Sequence, residues 1–275
     1  MGLTLRVFPR RTKATPSGPD VVIGRGPGLF DEPESVHVSV AFTWDKPLAE
    51  RLAVEWSQRA PTEIGGPAYD APGGDFTPGQ YLRRGYVITS RGCPNCCWFC
   101  SVWRREGRQV RELPITEGYN VLDDNLLACS DDHIVEVINM LKSQPEPAEF
   151  TGGLEAARLT DRHVDLLASL RVQQMFFAYD TPDDLEPLQE AGKKLLNVFT
   201  RASHKLRAYV LIGYPGDTFP EAESRLRQTD DAGFFPMAML WNARERSEGW
   251  RRFQRTWANP FIIAKQLSQR ATCCA

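Results

Sequence analysis

Four of the seven cysteines lie within eight residues, in the segment CPNCCWFC that spans residues 93–100. Thiols crowded onto one short loop suit a metal better than disulfides, which spread their cysteines along a chain. Two ligand spacings coexist here: Cys93, Cys97 and Cys100 form C-x-x-x-C-x-x-C, whereas Cys93 and Cys96 form C-x-x-C. The segment therefore predicts a metal site in a reducing compartment, and the spacing alone leaves the ligand set open.

The number of thiolates bears on which metal the loop would hold. A structural zinc site takes four ligands, and the second Cys or His pair commonly lies roughly 12 to 20 residues away. Downstream of the loop, the nearest candidates are the single Cys129 and His133. Three thiolates suit a 4Fe-4S cubane in which one iron has no protein ligand. An open cluster is the favoured interpretation, and zinc or merely buried thiols are the alternatives.

The elements that must position this loop are predicted from apolar periodicity. An alternating, β-branched run predicts a strand at 36–42, and short apolar runs predict strands at 86–89, 120–122, 148–151, 174–179, 207–212 and 236–241. Helical spacing predicts helices at 46–58, 133–142, 161–170, 183–196 and 219–232. From residue 86 onward, six strands alternate with helices. This order predicts an α/β fold with a parallel sheet, either open or closed into an incomplete barrel.

Composition divides the chain into three predicted parts. Residues 1–80 form a loop-rich segment with a small strand, helix, strand unit, and the first 35 residues are expected to be mostly loop. Gly and Pro punctuation at 71–79 predicts a linker. Residues 81–242 form the core, and residues 243–275 form a basic, aromatic C-terminal segment.

Unusual residues collect where the predicted core strands end. In parallel α/β folds, the chemistry lies beyond the carboxyl ends of the strands. The cysteine loop follows the strand at 86–89. The next four strands are followed by Asp123-Asp124-Asn125, Gly152-Gly153, Tyr179-Asp180 and the segment GYPGDT at 213–218.

Taken in this order, the motifs resemble the radical S-adenosylmethionine (radical SAM) enzymes over about residues 81–241. The resemblance rests on Cys93-x-x-x-Cys97-x-Phe99-Cys100 with its lead-in SRG at 90–92, and then on the strand-end motifs. It implies an incomplete (β/α)6 TIM-like barrel with a small N-terminal α/β appendage. It also implies that Cys93, Cys97 and Cys100 hold a 4Fe-4S cluster whose fourth iron binds SAM. Reductive cleavage of SAM would give a 5′-deoxyadenosyl radical that abstracts hydrogen from a substrate. Such a barrel has an open side, which would admit a macromolecular substrate.

The resemblance also implies which residues contact SAM. Asp123, Asp124 and Asn125 would approach the methionyl amino group, and Tyr179 and Asp180 would contact the ribose. The remaining candidates are Phe99 and Gly213, which would lie beside the adenine, and Gly152 and Gly153. Each position has a structural alternative, since Asp and Asn cap helices, glycines form turns, and Phe99 can pack in the core.

Upstream of the cysteine loop, the strand, the helix and Gly65-Gly66-Pro67 resemble a shortened cobalamin-binding region, which precedes the radical domain in one branch of the family. The sequence departs from that branch because it contains no D-x-H-x-x-G histidine. His37 stands in a different context, followed by Val38-Ser39. This departure argues against cobalamin as a cofactor.

The C-terminal segment suggests a second class of function. Between residues 241 and 275 the sequence contains seven Lys or Arg but only two acidic residues, and aromatic residues are interspersed among the basic ones. Such a segment can contact nucleic acid, or can anchor by its rings while its charges stay in water. The alternative to an enzyme is thus a non-catalytic zinc or iron–sulfur module that contacts nucleic acid. Cys129, Cys273 and Cys274 have no assigned role. For the enzyme, the resemblance implies a low-potential electron donor such as flavodoxin or ferredoxin.

Composition sets the remaining limits. Hydrophobic residues make up 42% and charged residues 25%, which is ordinary globular usage and excludes a disordered chain. The 33 basic and 35 acidic residues leave a net charge of −2, so global charge favours neither nucleic acid nor membrane. No apolar run approaches the roughly 20 residues of a membrane helix, and residues 1–11 do not resemble a signal peptide. We therefore expect a cytoplasmic protein with no membrane partner.

Overall fold

A computed structural model describes residues 3–243, 245–259 and 261–263. The chain forms two compact units, Met1–Asp124 and Asn125–Ala275. Both units combine helices with parallel strands, so the fold class is α/β. The domain limits at 80/81 and 242/243 stay predictions. Among the described residues, no helix has the length and apolar character needed to cross a membrane.

The first unit contains most of the short strands. Its strands are β1 Thr4–Phe8, β2 Val21–Ile23, β3 Ser35–Ser39, β4 Thr62–Gly65, β5 Tyr86–Val87, β6 Ser90–Arg91, β7 Arg111–Glu112 and β8 Asn120–Val121. Its α-helices are α1 Lys46–Ser57 and α2 Val102–Arg105.

A four-stranded parallel sheet forms the N-terminal part of this unit, in the order β2-β1-β3-β4. Helix α1 buries Ala49, Leu52 and Trp56, which share one face at helical spacing. The Trp56 indole also donates a hydrogen bond to the carbonyl of Arg25 at 3.1 Å. The small strand, helix, strand unit predicted here is confirmed as β3, α1 and β4.

The first 35 residues are mostly loop, but they also contain two strands that the periodicity did not predict. β1 is a central strand of the N-terminal sheet, paired on one side with β2 and on the other with β3. Leu5 and Val7 are buried at alternate positions of β1. The strand has only five residues, which is too short for this alternation to be recognised in the sequence. β2 has three residues and follows a Pro- and Gly-rich segment, so its strand character depends on pairing with β1.

Two smaller pairings complete the first unit. β5 and β8 pair in parallel, with Tyr86 opposite Asn120, and each is shorter than predicted. β6 and β7 form an antiparallel pair that the periodicity did not predict, because two residues per strand carry no periodic signal. The cysteine loop and α2 lie between these two strands in the sequence.

The second unit agrees with its predicted elements to within two residues at each end. Its strands are β9 Ala148–Phe150, β10 Val172–Tyr179, β11 Leu206–Ile212 and β12 Phe235–Leu240. Its α-helices are α3 Asp131–Lys142, α4 Asp161–Ala168, α5 Leu185–Leu195, α6 Phe219–Asp231 and α7 Glu248–Thr256. The strands are parallel in the order β9-β10-β11-β12, with α4, α5 and α6 as the connections between them.

Side-chain caps define where several of these helices begin. Ser130 accepts a hydrogen bond from the His133 amide at the start of α3. Thr160 and Thr218 form capping boxes at α4 and α6. Apolar spacing predicted the starts of α4 and α6 at the residues that follow these caps, whereas the predicted start of α3, residue 133, lies two residues late.

The basic aromatic segment packs by its rings. Trp250 and Phe253 of α7 contact Phe219 of α6, with centroids 4.3 and 5.4 Å away, and Trp257 is buried. Arg251, Arg252 and Arg255 are exposed. The described part of the segment thus has the anchored arrangement. Five other residues of this segment lie outside the described residues: Arg244, Lys265, Arg270, Cys273 and Cys274.

Candidate functional site

The cysteine loop separates one exposed thiol from three partly buried ones. Cys93, Cys97 and Cys100 are half-buried, whereas Cys96 is exposed. The Cys100 amide donates to the Cys97 carbonyl at 3.2 Å, and the Trp103 indole donates to the same carbonyl at 3.0 Å. The turn that carries Cys97 and Cys100 is therefore tied to α2, and Cys96 differs in burial from the other three.

Gly92 sets the entry to the loop. Its φ is +91°, and a Cβ added there would lie 2.4 Å from the Gln109 carbonyl oxygen, so the turn requires glycine. The Gly92 amide donates to the Asp124 carboxylate at 2.9 Å, and the next amide, of Cys93, donates to the Gly107 carbonyl at 3.3 Å. Asp124, which follows β8, thus holds the residue before the first cysteine.

Glu106 closes the other end of the loop with a buried ion cluster. Its side chain is 1% exposed, and its carboxylate accepts a hydrogen bond from Arg105 Nε at 2.9 Å. Guanidinium nitrogens of Arg91 and Arg111 lie 3.7 and 3.8 Å from it. Because Arg91 precedes the cysteines and Arg105 follows them, one carboxylate interacts with both ends of the loop. We call Glu106, Arg91, Arg105, Arg111 and Asp124 the arginine cluster.

The predicted linker at 71–79 is pinned to the arginine cluster. The Gly73 amide lies 3.1 Å from both Glu106 carboxylate oxygens, and the Gly73 carbonyl accepts from Arg111 at 2.6 Å. A Cβ on Gly73 would lie 2.3 Å from the Arg91 guanidinium carbon, so a larger residue here would displace the Arg91 side chain. This segment therefore takes part in the structure around the loop.

Asp123 and Asp124 have different partners. Asp123 is buried and accepts hydrogen bonds from the Thr89 amide, the Thr89 hydroxyl and the Ser90 hydroxyl, at 2.6 to 2.7 Å. Burial raises the pKa of the Asp123 carboxyl despite these donors. Burial also raises the pKa of Asp124, against the opposing effects of the Gly92 amide and Arg105. Within the first unit, both aspartates hold the backbone that leads into the cysteine loop.

The thiols fit a metal-bound group. The pKa of Cys100 is raised, first by burial and then by the nearby charges of Cys93 and Asp124, while Arg105 lowers it. A half-buried thiol beside a second thiol and a carboxylate is costly to ionise without a compensating cation. A metal group with thiolate ligands supplies that compensation. The donor chemistry therefore suits the predicted set of Cys93, Cys97 and Cys100.

The remaining candidate of the first unit is Phe99, which is half-buried. Its ring packs edge-on against Trp98, with centroids 5.4 Å apart. Trp98 is 49% exposed, so Phe99 belongs to the loop surface and not to the core.

The other predicted SAM contacts belong to the second unit. Asn125 is buried, and its side-chain amide donates to Glu155 at 2.6 Å. Gly152 is exposed, and Gly153 has φ +106° with no atom within 4 Å of an added Cβ. Gly153 therefore marks a turn beside open space, after β9. Cys129 is half-buried, with its sulfur 4.0 Å from the Asn125 carbonyl.

Tyr179 and Asp180 end β10 in different environments. The Tyr179 hydroxyl donates to Gln228 on α6 at 2.8 Å. Burial and the neighbouring Asp184 raise the pKa of Asp180 to about 7. The Asp184 carboxylate accepts the amides of Asp180 and Thr181, so it fixes the turn after the strand. Asp180 is a carboxyl that can exist in either protonation state near neutral pH.

Gly213 begins the turn after β11, with φ +69°. Its amide donates to Asp217 at 2.6 Å, and Arg225 of α6 also donates to Asp217, at 2.8 Å. The Asp217 side chain is fully buried and that of Arg225 is 8% exposed. A buried ion pair therefore shapes the GYPGDT segment.

Sequence reasoning missed four residues that shape these loops: Arg91, Glu106, Asp217 and Arg225. Glu106 stands in charged surroundings that are typical of exposed segments, and Arg91 was noted only as part of the SRG lead-in. Asp217 was noted only as part of its motif. The one available signal was glycine, because Gly73, Gly92 and Gly213 each mark a place where backbone passes close to other atoms.

Comparison with known proteins gives a distant likeness to an enzyme. No protein-family model matches the chain. It is 25% identical over 198 residues to the cytidylyl-2-hydroxyethylphosphonate methyltransferase of Streptomyces wedmorensis. The match covers 61% of this chain and 36% of that protein, so the chain spans little more than a third of the relative's length. The likeness is therefore distant, and the relative is by its name an enzyme.

Proposed function

We propose that this protein is a radical SAM enzyme. The observation that carries the proposal is a loop with three half-buried thiols, whose two ends are held by the carboxylates of Asp124 and Glu106. The distant likeness to a methyltransferase supports an enzyme. The proposal includes an incomplete (β/α)6 barrel. The parallel strands β9 to β12 with their connecting helices are compatible with such a barrel.

In this proposal Cys93, Cys97 and Cys100 hold a 4Fe-4S cluster. When bound, such a cluster supplies the electron that cleaves SAM and generates an organic radical. The residues of the chain keep the loop in shape: Gly92 allows the turn, Asp124 accepts its amide, and Glu106 holds Arg91 and Arg105 together. Partial burial of the three thiols limits access of water and oxygen.

The proposed SAM contacts remain those implied by the resemblance. They are Phe99, Asp123, Asp124, Asn125, Gly152, Gly153, Tyr179, Asp180 and Gly213. The hydrogen bonds of Asp123 favour a holding role for it, because three donors already occupy its carboxylate. Asp124, half-buried with one amide partner, is the better candidate for a contact with a charged ammonium group.

The decisive experiment uses protein purified and reconstituted without oxygen. It should be brown, bind about four irons per chain, and form 5′-deoxyadenosine from SAM in the presence of dithionite. Stoichiometric zinc without charge-transfer absorption would overturn the proposal. Because the distant relative is named as a methyltransferase, products should also be screened by mass for an added methyl group.

Two partners belong to the proposal. The first is a low-potential electron donor, and flavodoxin or ferredoxin should replace dithionite in the same assay. The second is nucleic acid, for which the exposed Arg251, Arg252 and Arg255 of α7 provide the charge. If the non-catalytic alternative holds, the zinc-loaded protein should bind RNA or DNA with an affinity that falls steeply with salt, and substitution of these arginines by Gln should reduce that dependence.

A further inference from the structure

The first unit contains a cavity that the proposed function does not explain. It has a volume of about 460 Å³ and lies wholly within residues of this unit. The carboxyl ends of β1, β3 and β4 contribute to its lining, as in parallel sheets that bind ligands at this edge. Its size is within the range of small-molecule sites, which are roughly 300 to 1,000 Å³.

One side of the cavity is apolar. Phe42 and Ile64 each expose 37% of their surface, and the half-buried Phe76 joins them in the lining. Apolar side chains left accessible in a concave surface indicate a ligand with an apolar body.

A second side is formed by Arg91, Arg105 and Glu106 of the arginine cluster. Both arginine side chains are largely buried, at 17% and 12% exposure. Arg91 uses its Nε to bond the Gly74 carbonyl, and Arg105 uses its Nε to bond Glu106. Their terminal amino groups lie 3.7 and 3.8 Å from Glu106 and Asp124, which is beyond hydrogen-bond distance. Within the described residues, these terminal amino groups have unused donors.

The charge of the arginine cluster is not balanced. At this wall of the cavity, Arg91 and Arg105 share the single carboxylate of Glu106, while elsewhere in the lining Arg10 pairs with Asp45. Guanidinium groups with unused donors in a partly buried wall suit a carboxylate or a phosphate, which they bind by paired hydrogen bonds.

We propose that this cavity binds an organic anion with an apolar body, and that this anion is the substrate. The anionic group would bind the terminal amino groups of Arg91 and Arg105, and the apolar body would lie along Phe42, Ile64 and Phe76. The role as substrate rests on the proposed function, because the same two arginines flank the cysteine loop in sequence and hold it through Glu106. The binding itself does not depend on the radical chemistry.

The test uses two probes with the same apolar body, measured by equilibrium dialysis on the full-length reconstituted protein. 8-Anilinonaphthalene-1-sulfonate (ANS) has a sulfonate, and N-phenyl-1-naphthylamine (NPN) lacks it. We expect Arg91→Gln and Arg105→Gln each to weaken ANS about tenfold, as for loss of a charge-assisted hydrogen bond. NPN binding should stay unchanged, and Ile64→Asp should weaken both probes. Arg91→Lys and Arg105→Lys, which keep the charge, should lose less than the Gln variants.

The matched control is Arg51→Gln, which removes an exposed guanidinium of α1 that does not line the cavity. It should change neither probe. Equal losses of ANS and NPN in the arginine variants would mean that these residues only maintain the loop, and would overturn the anion site. Displacement of ANS by SAM would assign the arginines to SAM, and displacement of both probes by hydroxocobalamin would identify another occupant; either result overturns the proposal.

Failure of the cavity proposal is distinguishable from failure of the proposed function. Iron content and 5′-deoxyadenosine formation report the function, whereas the two probes report the cavity. The wild-type protein could make 5′-deoxyadenosine and yet bind ANS no better than the Gln variants do. That result would support the proposed function and overturn the proposed substrate site.

Discussion

The two units hold their polar loops by different means. In the first unit, the cysteine loop lies between strands of only two residues, and the carboxylates of Asp124 and Glu106 tie its ends. In the second unit, β10 and β11 have eight and seven residues, and the turns that follow them are fixed by Asp184 and Asp217 from the same turn. Short strands provide few ladder hydrogen bonds, so the first unit depends on long-range side-chain contacts. The second unit depends on local ones.

The comparison predicts its largest effect at the cysteines. Cys93→Ala, Cys97→Ala and Cys100→Ala should each abolish iron binding, because each removes a thiolate from the proposed three-ligand site. Cys96→Ala should retain the cluster, since this thiol is exposed while the other three are half-buried. Iron and sulfide content per chain is the measurement. Equal loss in all four variants would show that the ligand set is wrong.

In the second unit, Asp217→Ala should lower stability without touching the metal. It leaves the buried Arg225 without its carboxylate, which costs about 3–5 kcal/mol for a broken buried pair. The free energy of unfolding from denaturant titration should fall accordingly, while iron content per folded chain stays at the wild-type value.

Glu223→Ala, on the helix α6 that carries Arg225, is the matched control for Asp217→Ala. It breaks a partly exposed pair with Arg227 and should cost about 0–1 kcal/mol. If Asp217→Ala unfolds no more easily than Glu223→Ala, the buried pair does not shape the GYPGDT segment.

Asp124 distinguishes ligand contact from loop holding. Asp124→Ala should weaken SAM binding by about tenfold to a hundredfold, as for loss of a charge-assisted hydrogen bond. Asp124→Asn keeps an acceptor for the Gly92 amide but loses the charge. Titration with SAM after an iron assay is the measurement, and a contact with the SAM ammonium requires that both variants weaken. Full recovery in Asp124→Asn would limit the residue to holding the loop.

The smallest expected effect is a change in pH dependence at Asp180. Its pKa is raised from 3.8 to about 7, so between these values the folded state binds a proton that the unfolded state has lost. This contribution to stability is present at low pH and is lost as pH rises through about 7. Asp180→Asn should flatten that part of the stability curve, measured by urea unfolding at pH 5 and pH 8.

The sequence by itself determined the second unit closely. Its strands are long enough to show their apolar character. Ser130, Thr160 and Thr218 are residue types that favour the start of a helix, and each caps the helix that follows it. It also determined the cysteine spacing, because thiols on one loop are near one another whatever the rest of the fold. These features are local, and local features can be read from neighbouring residues.

Only the tertiary structure decided the surroundings of the cysteine loop. Nothing in the charged stretch around Glu106 distinguishes a solvent-exposed carboxylate from one with 1% exposure among three arginines. β1 and β2 are strands because they pair with each other, and β1 also pairs with β3, across gaps in sequence that contain no periodic pattern. Burial and long-range pairing arise from packing between distant segments, so they become visible only once the chain has folded.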